Sequence, residues 1–230
     1  MPDSVNMVKP KIETLLFDAA GTLLSLTYPV GKSYATIASN HGIALDPEII
    51  NKAFRTVWKR QPSRESIQGP RVQDDREWWR NFVKEVLEES GSSTEAFDFV
   101  AYFTDLYIYF ATPGVWHPYP DVIPTLQKLR GKYRMAIVSN FDRRLYEVLK
   151  HTELRDYFET VILSSETGID KPDPEIFQIA MDRMQSIPAN TLHIGDDPTD
   201  DLEGARNAGL ECFLLRRPEI TLTDLLTRLS

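Results

Sequence analysis

The sequence predicts an α/β fold, in which a doubly wound, Rossmann-like parallel sheet forms the core and an α-helical cap domain is inserted into it. A short apolar run at residues 12–17 is typical of a buried parallel strand. Residues 28–113 carry apolar side chains at helical spacing, whereas strand-like and helix-like segments alternate after residue 113. Such alternation predicts a parallel sheet with helices on both faces, which the first strand has to join. We therefore expect a core domain at 1–27 plus 114–230 and a helical cap at 28–113.

The apolar positions of the expected cap fall into three groups with amphipathic helical spacing. They are Tyr34, Ile37, Ala38, Ile49, Ile50, Ala53, Phe54 and Val57; Trp78, Trp79, Phe82, Val83, Val86 and Leu87; and Phe99, Phe103, Leu106, Tyr107 and Phe110. We expect the aromatic stripes Trp78/Trp79 and Phe103/Tyr107/Phe110 to form the core of the cap rather than a cage for a substrate. The polar segment 61–75 contains Pro62, Gly69 and Pro70, which predicts a loop.

The alternating half of the chain gives one prediction for each element. Strands are expected at 133–139, 160–163, 191–194 and 211–215, and helices at 121–130, 142–150, 174–184, 201–208 and 222–229. Since open parallel sheets bind ligands at the carboxyl ends of their strands, the residues that follow these strands are the candidates for a functional site.

Composition excludes several classes of function. A chain of 230 residues with 42% hydrophobic and 26% charged residues is typical of a globular protein with one large domain or a core with an insertion. The net charge of −8 argues against binding to nucleic acid or to an anionic membrane. No segment has the roughly 18 apolar residues of a membrane span, and residues 1–11 lack the apolar core of a signal peptide. Cys212 is the single cysteine, so an intrachain disulfide is excluded. Together these observations predict a cytoplasmic protein in a reducing compartment.

Four segments with chemically active side chains follow the predicted strands. They are Asp18-Ala-Ala-Gly-Thr22, Ser139-Asn140, Lys171 within Asp-Lys-Pro-Asp-Pro, and residues 195–201 with the sequence Gly-Asp-Asp-Pro-Thr-Asp-Asp. In order and residue type they resemble the four motifs of the haloacid dehalogenase-like hydrolase superfamily. The helical insertion directly after the first motif is similar to that of members with an α-helical cap, and the resemblance covers essentially residues 12–230.

The resemblance implies a role for each residue of the four segments. Asp18 is then the nucleophile, which attacks phosphorus and forms an acyl phosphate. Thr22, Ser139 and Asn140 bind or orient the transferring group, and Lys171 neutralises the carboxylates and the charge of the transition state.

The same resemblance implies a Mg²⁺ site, because hard oxygen ligands suit this ion. Its ligands are Asp18, the backbone carbonyl of Ala20, and Asp196. Asp197, Asp200 and Asp201 follow directly, and the sequence leaves open which of them completes or orients the ligand shell.

Ala20 departs from the family pattern. Phosphatases of the superfamily carry a second aspartate at this position as general acid/base, a group worth about 10²–10⁴-fold in rate. Its absence favours a Mg²⁺-dependent phosphatase of reduced or specialised activity on a small phosphorylated metabolite, above all one with a good leaving group such as an acyl or aryl phosphate. A cap residue such as Lys32, His41 or Arg55 is another source of the proton.

Two further classes stay open at this point. Phosphonoacetaldehyde hydrolases carry alanine at the position of Ala20 and use a cap lysine, for which Lys32, Lys52 and Lys59 are available, whereas 2-haloacid dehalogenases need neither the acid nor a metal. The chain could also be a catalytically inactive binding protein of the same fold. The sequence does not distinguish a monomer from a homodimer.

Overall fold

The computed structural model describes residues 11–62 and 64–230, without the side chains of residues 72–74. The N-terminal segment on which the signal-peptide prediction depends lies almost wholly outside the described residues. The strands are β1 (Thr14–Phe17), β2 (Leu24–Leu26), β3 (Trp116–Pro118), β4 (Arg134–Ser139), β5 (Thr160–Leu163), β6 (Thr191–Gly195) and β7 (Glu211–Leu214). The helices are α1 (Val30–Asn40), α2 (Pro47–Arg60), α3 (Val72–Glu89), α4 (Phe99–Tyr109), α5 (Val122–Leu129), α6 (Arg144–His151), α7 (Ser164–Thr167), α8 (Pro174–Met184), α9 (Gly204–Asn207) and α10 (Leu222–Arg228). None of the helices in the described residues is long and apolar enough to cross a membrane.

Five parallel strands form the central sheet in the order β5-β4-β1-β6-β7. Side chains of β1 alternate between the two faces, so Leu15 and Phe17 join one buried cluster with α5, α6 and α10. Leu16 joins a second cluster with α8 and α9 on the opposite face. Helices on both faces of a parallel sheet confirm the predicted fold class.

One helix of this core differs from its prediction. The helix expected at 201–208 is a π-helical segment at Pro198–Glu203 that continues into α9. It begins earlier because the Asp197 carboxylate accepts hydrogen bonds from the backbone N–H groups of Thr199 and Asp200 and so caps the first turn. The other predicted strands and helices of the core lie within two residues of those observed.

Helices α1–α4, which we call the cap helices, pack around a buried cluster of their own that includes Tyr34, Ile50, Phe82 and Tyr102. The antiparallel pair β2–β3, which the sequence analysis did not predict, lies where the chain enters and leaves these helices. The division into domains at 1–27 plus 114–230 and 28–113 stays a prediction.

The predicted loop at 61–75 ends too late, since α3 begins at Val72. The start of α3 is fixed by contacts that the residue before it makes with the core. Arg71 is buried and forms an ion pair with Asp170, while its backbone N–H donates to the carbonyl of Ser165. Contacts of this long range leave no signal in the local sequence.

Candidate active site

Sheet topology brings the four predicted segments together. Asp18 directly follows β1, Ser139 ends β4, and Asp196 directly follows β6. Because β4, β1 and β6 are neighbours and parallel, their carboxyl ends meet at the middle of one sheet edge. Lys171 reaches the same place from the loop between α7 and α8.

Asp18 lies at the centre of this site and is 6% exposed. Its Oδ1 accepts hydrogen bonds from Ser139 Oγ at 3.1 Å and from Lys171 Nζ at 2.8 Å. Its Oδ2 accepts none from the described residues. Burial raises the pKa of Asp18 to about 6. The negative charge of Asp201 raises it further, whereas the positive charge of Lys171 acts in the opposite direction. Asp18 is therefore held through one oxygen and presents the other.

The Asp201 carboxylate is fully used by hydrogen bonds from protein groups. Oδ1 accepts from Lys171 Nζ at 2.6 Å and from His193 Nε2 at 2.8 Å, and Oδ2 accepts from the backbone N–H groups of Asp196 and Asp197. Burial on its own would raise the pKa of this carboxyl, but Lys171 and His193 hold it well below its usual range. Asp201 thus fixes the position of Lys171. His193 was missed from the sequence, because its spacing from the other residues follows no ligand pattern.

Asp196 has the opposite character. Its Oδ1 accepts from Thr22 Oγ1 at 2.9 Å, and its Oδ2 accepts no hydrogen bond within the described part of the chain. Burial raises the pKa of Asp196. A Cβ at Gly21 would overlap Asp196 Oδ2, and the backbone of Gly21 has a positive φ, so only glycine fits there. Thr22 is fully buried, and the hydrogen bond from its hydroxyl orients the Asp196 carboxylate.

Asn140 holds the loop that carries Lys171. Its side-chain oxygen accepts from the Lys171 backbone N–H at 2.7 Å, and its side-chain nitrogen donates to the Lys171 carbonyl at 2.9 Å. The same nitrogen donates to Asp200 Oδ2 at 3.2 Å. The cap at the start of the π-helical segment uses Asp197 Oδ1, as described above. Asn140 was predicted to orient the transferring group, and Asp197 was a candidate for the ligand shell. The side chains of both residues already have structural hydrogen-bond partners.

The donor set fits Mg²⁺. One oxygen of each of Asp18, Asp196 and Asp201 lies within 4.8 Å of the others. Because protein donors occupy both oxygens of Asp201, Asp18 and Asp196 are the two carboxylates of this group with an oxygen available to the ion. No described backbone N–H donates to the carbonyl of Ala20. The wall of the site carries five carboxylates and two cations: Asp18, Asp196, Asp197, Asp200 and Asp201 against Lys171 and Arg144. Burial also raises the pKa of Asp200 to about 6, as expected where negative charge is in excess.

A cavity of about 400 Å³ lies above this floor, between the core and the cap helices. Its remaining walls are mainly aromatic and aliphatic: Leu26, Val30, Tyr34, Phe54, Trp58, Trp79, Val83, Phe103, Leu106, Tyr107, Phe110, Trp116 and Phe141. Ala20 lines it as well. The expectation that the aromatic stripes form cap core alone is therefore only partly right. Trp79, Phe103, Tyr107 and Phe110 pack on the cap cluster and also face the cavity.

The basic cap residues proposed as proton sources lie elsewhere. Lys32, His41 and Arg55 are absent from the cavity wall, as are Lys52 and Lys59. The ammonium of Lys32 lies 3.6 Å from the centre of the Tyr28 ring, and His41 pairs with Asp105. Within the described residues, the lysine that reaches this cavity is Lys171.

Comparison with known proteins gives a consistent picture of the family. A family model described as haloacid dehalogenase-like hydrolase matches residues 12–209. The chain is 34% identical to "Haloacid dehalogenase-like hydrolase domain-containing protein 3" of Bos taurus, over 91% of this chain and 84% of that protein.

Solved structures share the fold but differ in their chemistry. The HAD-hydrolase YfnB from Bacillus subtilis bound to magnesium has a TM-score of 0.74 at 20% identity, over 96% of this chain and 99% of that one. A 2-haloacid dehalogenase from Pseudomonas syringae has a TM-score of 0.63 at 21% identity, over 95% of this chain and 100% of that one. Likeness at this identity shows the fold alone, and the choice of reaction has to come from the site.

Proposed function

Because the chain belongs to the haloacid dehalogenase-like hydrolase family, we propose that it is a Mg²⁺-dependent, phosphatase-type hydrolase of a small phosphorylated molecule. The main support is a pair of carboxylate oxygens. Oδ2 of Asp18 and Oδ2 of Asp196 both lack a partner among the described residues and lie at one cavity floor. A nucleophile that acts without a metal needs only one unpaired carboxylate oxygen, its own. A cation bound by both Asp18 and Asp196 needs an unpaired oxygen from each of them.

In the proposed reaction the Asp18 carboxylate attacks phosphorus, and the bond from phosphorus to the leaving oxygen breaks, with its electron pair leaving on that oxygen. Water then attacks phosphorus of the acyl phosphate, and the bond between phosphorus and the Asp18 carboxylate breaks, with its electron pair returning to the carboxylate. The proton that water loses passes to the solvent, and phosphate is released. Ser139 and Lys171 fix the attacking carboxylate through Oδ1. Lys171 also offsets the charge that develops on the transferring group. Asp18, Asp196 and the Ala20 carbonyl would hold Mg²⁺, whose positive charge would offset the negative charge of the carboxylates and of an anionic substrate.

Ala20 limits which substrates can react. The segment Ala19-Ala20-Gly21 offers no side chain that can protonate a leaving oxygen. The leaving group has to depart as a stable anion, which favours acyl and aryl phosphates over alkyl esters.

A 2-haloacid dehalogenase is the second candidate, because the apolar wall and the missing acid also suit the release of a halide. The pair Asp18 and Asp196 argues against it, since a metal-free reaction leaves the Asp196 carboxylate without a function. A phosphonoacetaldehyde hydrolase is disfavoured, because no cap lysine lines the cavity within the described residues.

The test is release of phosphate from acetyl phosphate and p-nitrophenyl phosphate, with Mg²⁺ or with EDTA. We expect Mg²⁺-dependent release that Asp18→Asn abolishes. The matched control is Asp156→Asn, an exposed aspartate on a turn of the core, which should leave the rate unchanged.

Calorimetric titration with Mg²⁺ tests the metal site separately, and Asp196→Ala should remove the binding. Metal-independent release of halide from 2-chloropropionate, lost in Asp18→Asn, would establish the dehalogenase instead. Absence of both reactions in a folded protein that binds no Mg²⁺ would overturn the proposal.

A further inference from the structure

The cavity wall opposite the carboxylates is mainly apolar. The cap helices contribute no carboxylate and no lysine to it within the described residues. Several polar groups on the wall are already used: Tyr107 donates from its hydroxyl to Asp142 Oδ2 at 3.1 Å, and Trp116 Nε1 donates to the carbonyl of Phe110 at 2.9 Å. A sugar or glycerol phosphate would find few replacement hydrogen bonds for its hydroxyls here, and each hydroxyl left unpaired costs about 1–3 kcal/mol.

Arg144 is the cation on this wall outside the floor, and its partners already engage it. Its guanidinium donates to both oxygens of Asp142 and to the carbonyl of Tyr107, and lies 3.7 Å from the centre of the Tyr107 ring. The arrangement holds α6 against α4. It therefore gives the cavity a stacked planar surface more than a free anion site.

Aromatic rings from three cap helices meet at this wall. Phe54 and Trp58 of α2 are stacked with ring centres 6.0 Å apart, and Trp58 and Trp79 of α3 are stacked at 6.3 Å. Phe103 and Tyr107 of α4 follow at 5.6 Å. Flat ligands gain from such surroundings, because aromatic pairs add to the free energy of apolar burial.

The reacting end of the site imposes an independent requirement. With Ala20 in place of an acid, the leaving oxygen departs without a proton from this position. A phenol has a pKa near 10, about 6 units below that of water, so a phenolate leaves far more readily than an alkoxide. An apolar wall and a missing acid thus select the same chemical group.

We propose that the substrate is an aryl phosphate, whose phosphate lies at Asp18 and whose aromatic ring lies among the side chains of the cap helices. The inference rests on the proposed phosphatase reaction and names its substrate class. Phe54 is the specificity-determining residue best suited to a test, because its ring lines the cavity and contacts Trp58 without being fully buried.

The first measurement compares kcat and KM for 1-naphthyl phosphate, phenyl phosphate and glycerol 2-phosphate in Mg²⁺. The two aryl esters have leaving groups of similar acidity but different apolar area. We expect a KM about tenfold lower for the naphthyl ester, and kcat/KM at least 100-fold lower for the glycerol ester.

Matched variants then separate recognition from folding. Phe54→Leu should raise KM for 1-naphthyl phosphate at least fivefold. It should leave KM for acetyl phosphate, which has no ring, within twofold of the wild-type value. Phe97→Leu changes a ring that packs on the same cap cluster away from the cavity, and should change neither.

Calorimetry with 1-naphthol provides a readout that does not depend on turnover. Binding that Phe54→Leu weakens at least fivefold supports the aryl site, even if no ester releases phosphate, in which case the proposed reaction fails and the aryl site stands. Absence of 1-naphthol binding, or binding that Phe54→Leu leaves unchanged, overturns the inference. So does Mg²⁺-dependent hydrolysis of acetyl phosphate with no preference for aryl over glycerol esters, an outcome that leaves the phosphatase proposal intact.

Discussion

Replacing Ala20 with aspartate tests directly how the leaving group departs. Ala20 lies on the cavity wall two residues after Asp18, and neither Ala19 nor Gly21 beside it has a side chain that can donate a proton. A carboxyl group there would join a wall on which burial raises the pKa of Asp18 and of Asp200 to about 6. The new carboxyl should have a raised pKa for the same reasons, so a useful fraction of it is protonated near neutral pH and can act as an acid.

The expected magnitude is the difference between two effects. A positioned general acid is worth about 10²–10⁴-fold, or about 3–5 kcal/mol at 1.36 kcal/mol for each factor of ten. An added negative charge at about 4 Å from another costs about 1–4 kcal/mol, depending on the local dielectric. Its partial protonation and the bound cation reduce that cost. We therefore expect Ala20→Asp to raise kcat for phenyl phosphate at least tenfold, and to raise it less for p-nitrophenyl phosphate, whose leaving group needs less help.

The assay is kcat for a series of substituted phenyl phosphates in saturating Mg²⁺. In the wild-type protein log kcat should fall steeply as the pKa of the leaving phenol rises, and Ala20→Asp should flatten that dependence. Ala20→Asn is the matched control, because it has nearly the same shape without the acid. An unchanged slope in folded Ala20→Asp, or the same gain in Ala20→Asn, would refute the reasoning.

Two further predictions concern the buried charges. In the presence of a chelator, the free energy of unfolding should fall as pH rises from about 4 to about 6, because the raised pKa of Asp18 makes the folded protein keep a proton that the unfolded chain releases. Asp18→Asn should flatten this dependence by about 3 kcal/mol in urea titrations at each pH, and parallel curves would contradict the assignment. Lys171→Met leaves the carboxylates of Asp18 and Asp201 without their shared cation and should lower the free energy of unfolding by about 3–5 kcal/mol. The exposed control Lys84→Met should change it by less than about 0.5 kcal/mol, and an equal loss in both variants would show that the buried network contributes nothing.

The core of the fold could be predicted because its strands are buried on both faces and end in polar motifs. Segments such as 160–163 and 174–184 have the observed bounds, since apolar runs and a capping Asp173 before Pro174 mark them locally. The meeting of Asp18, Ser139 and Asp196 followed from the rule that ligands bind at the carboxyl ends of parallel strands.

What the sequence did not predict depends on contacts between distant residues. The start of α3 is set by Arg71 against Asp170, 99 residues further on. His193 and Lys171 both donate hydrogen bonds to Asp201. This arrangement arises from the packing of β6 against its neighbours, and no spacing in the sequence predicts it. The spacing of the aromatic residues likewise predicted the helices but not that some rings line a cavity. A ring such as Phe103 can pack on the core of the cap on one side and face the cavity on the other.

The retained residues of the site do not all carry the same weight as signs of activity. Asp18, Lys171 and Asp201 form a buried network of opposite charges, and breaking such a network is costly whether or not the protein is a catalyst. Their presence alone would therefore fit an inactive binding protein. Asp196 differs, because its Oδ2 has no partner in the described structure and burial raises its pKa, so the carboxylate costs the folded protein free energy. Gly21 keeps that oxygen clear of a side chain. The proposed cation, shared by both oxygens, would explain a carboxylate that opposes folding and faces a nucleophile. Mg²⁺ binding that Asp196→Ala removes would therefore separate the proposed enzyme from an inactive binding protein, because the buried network of Asp18, Lys171 and Asp201 is expected in both.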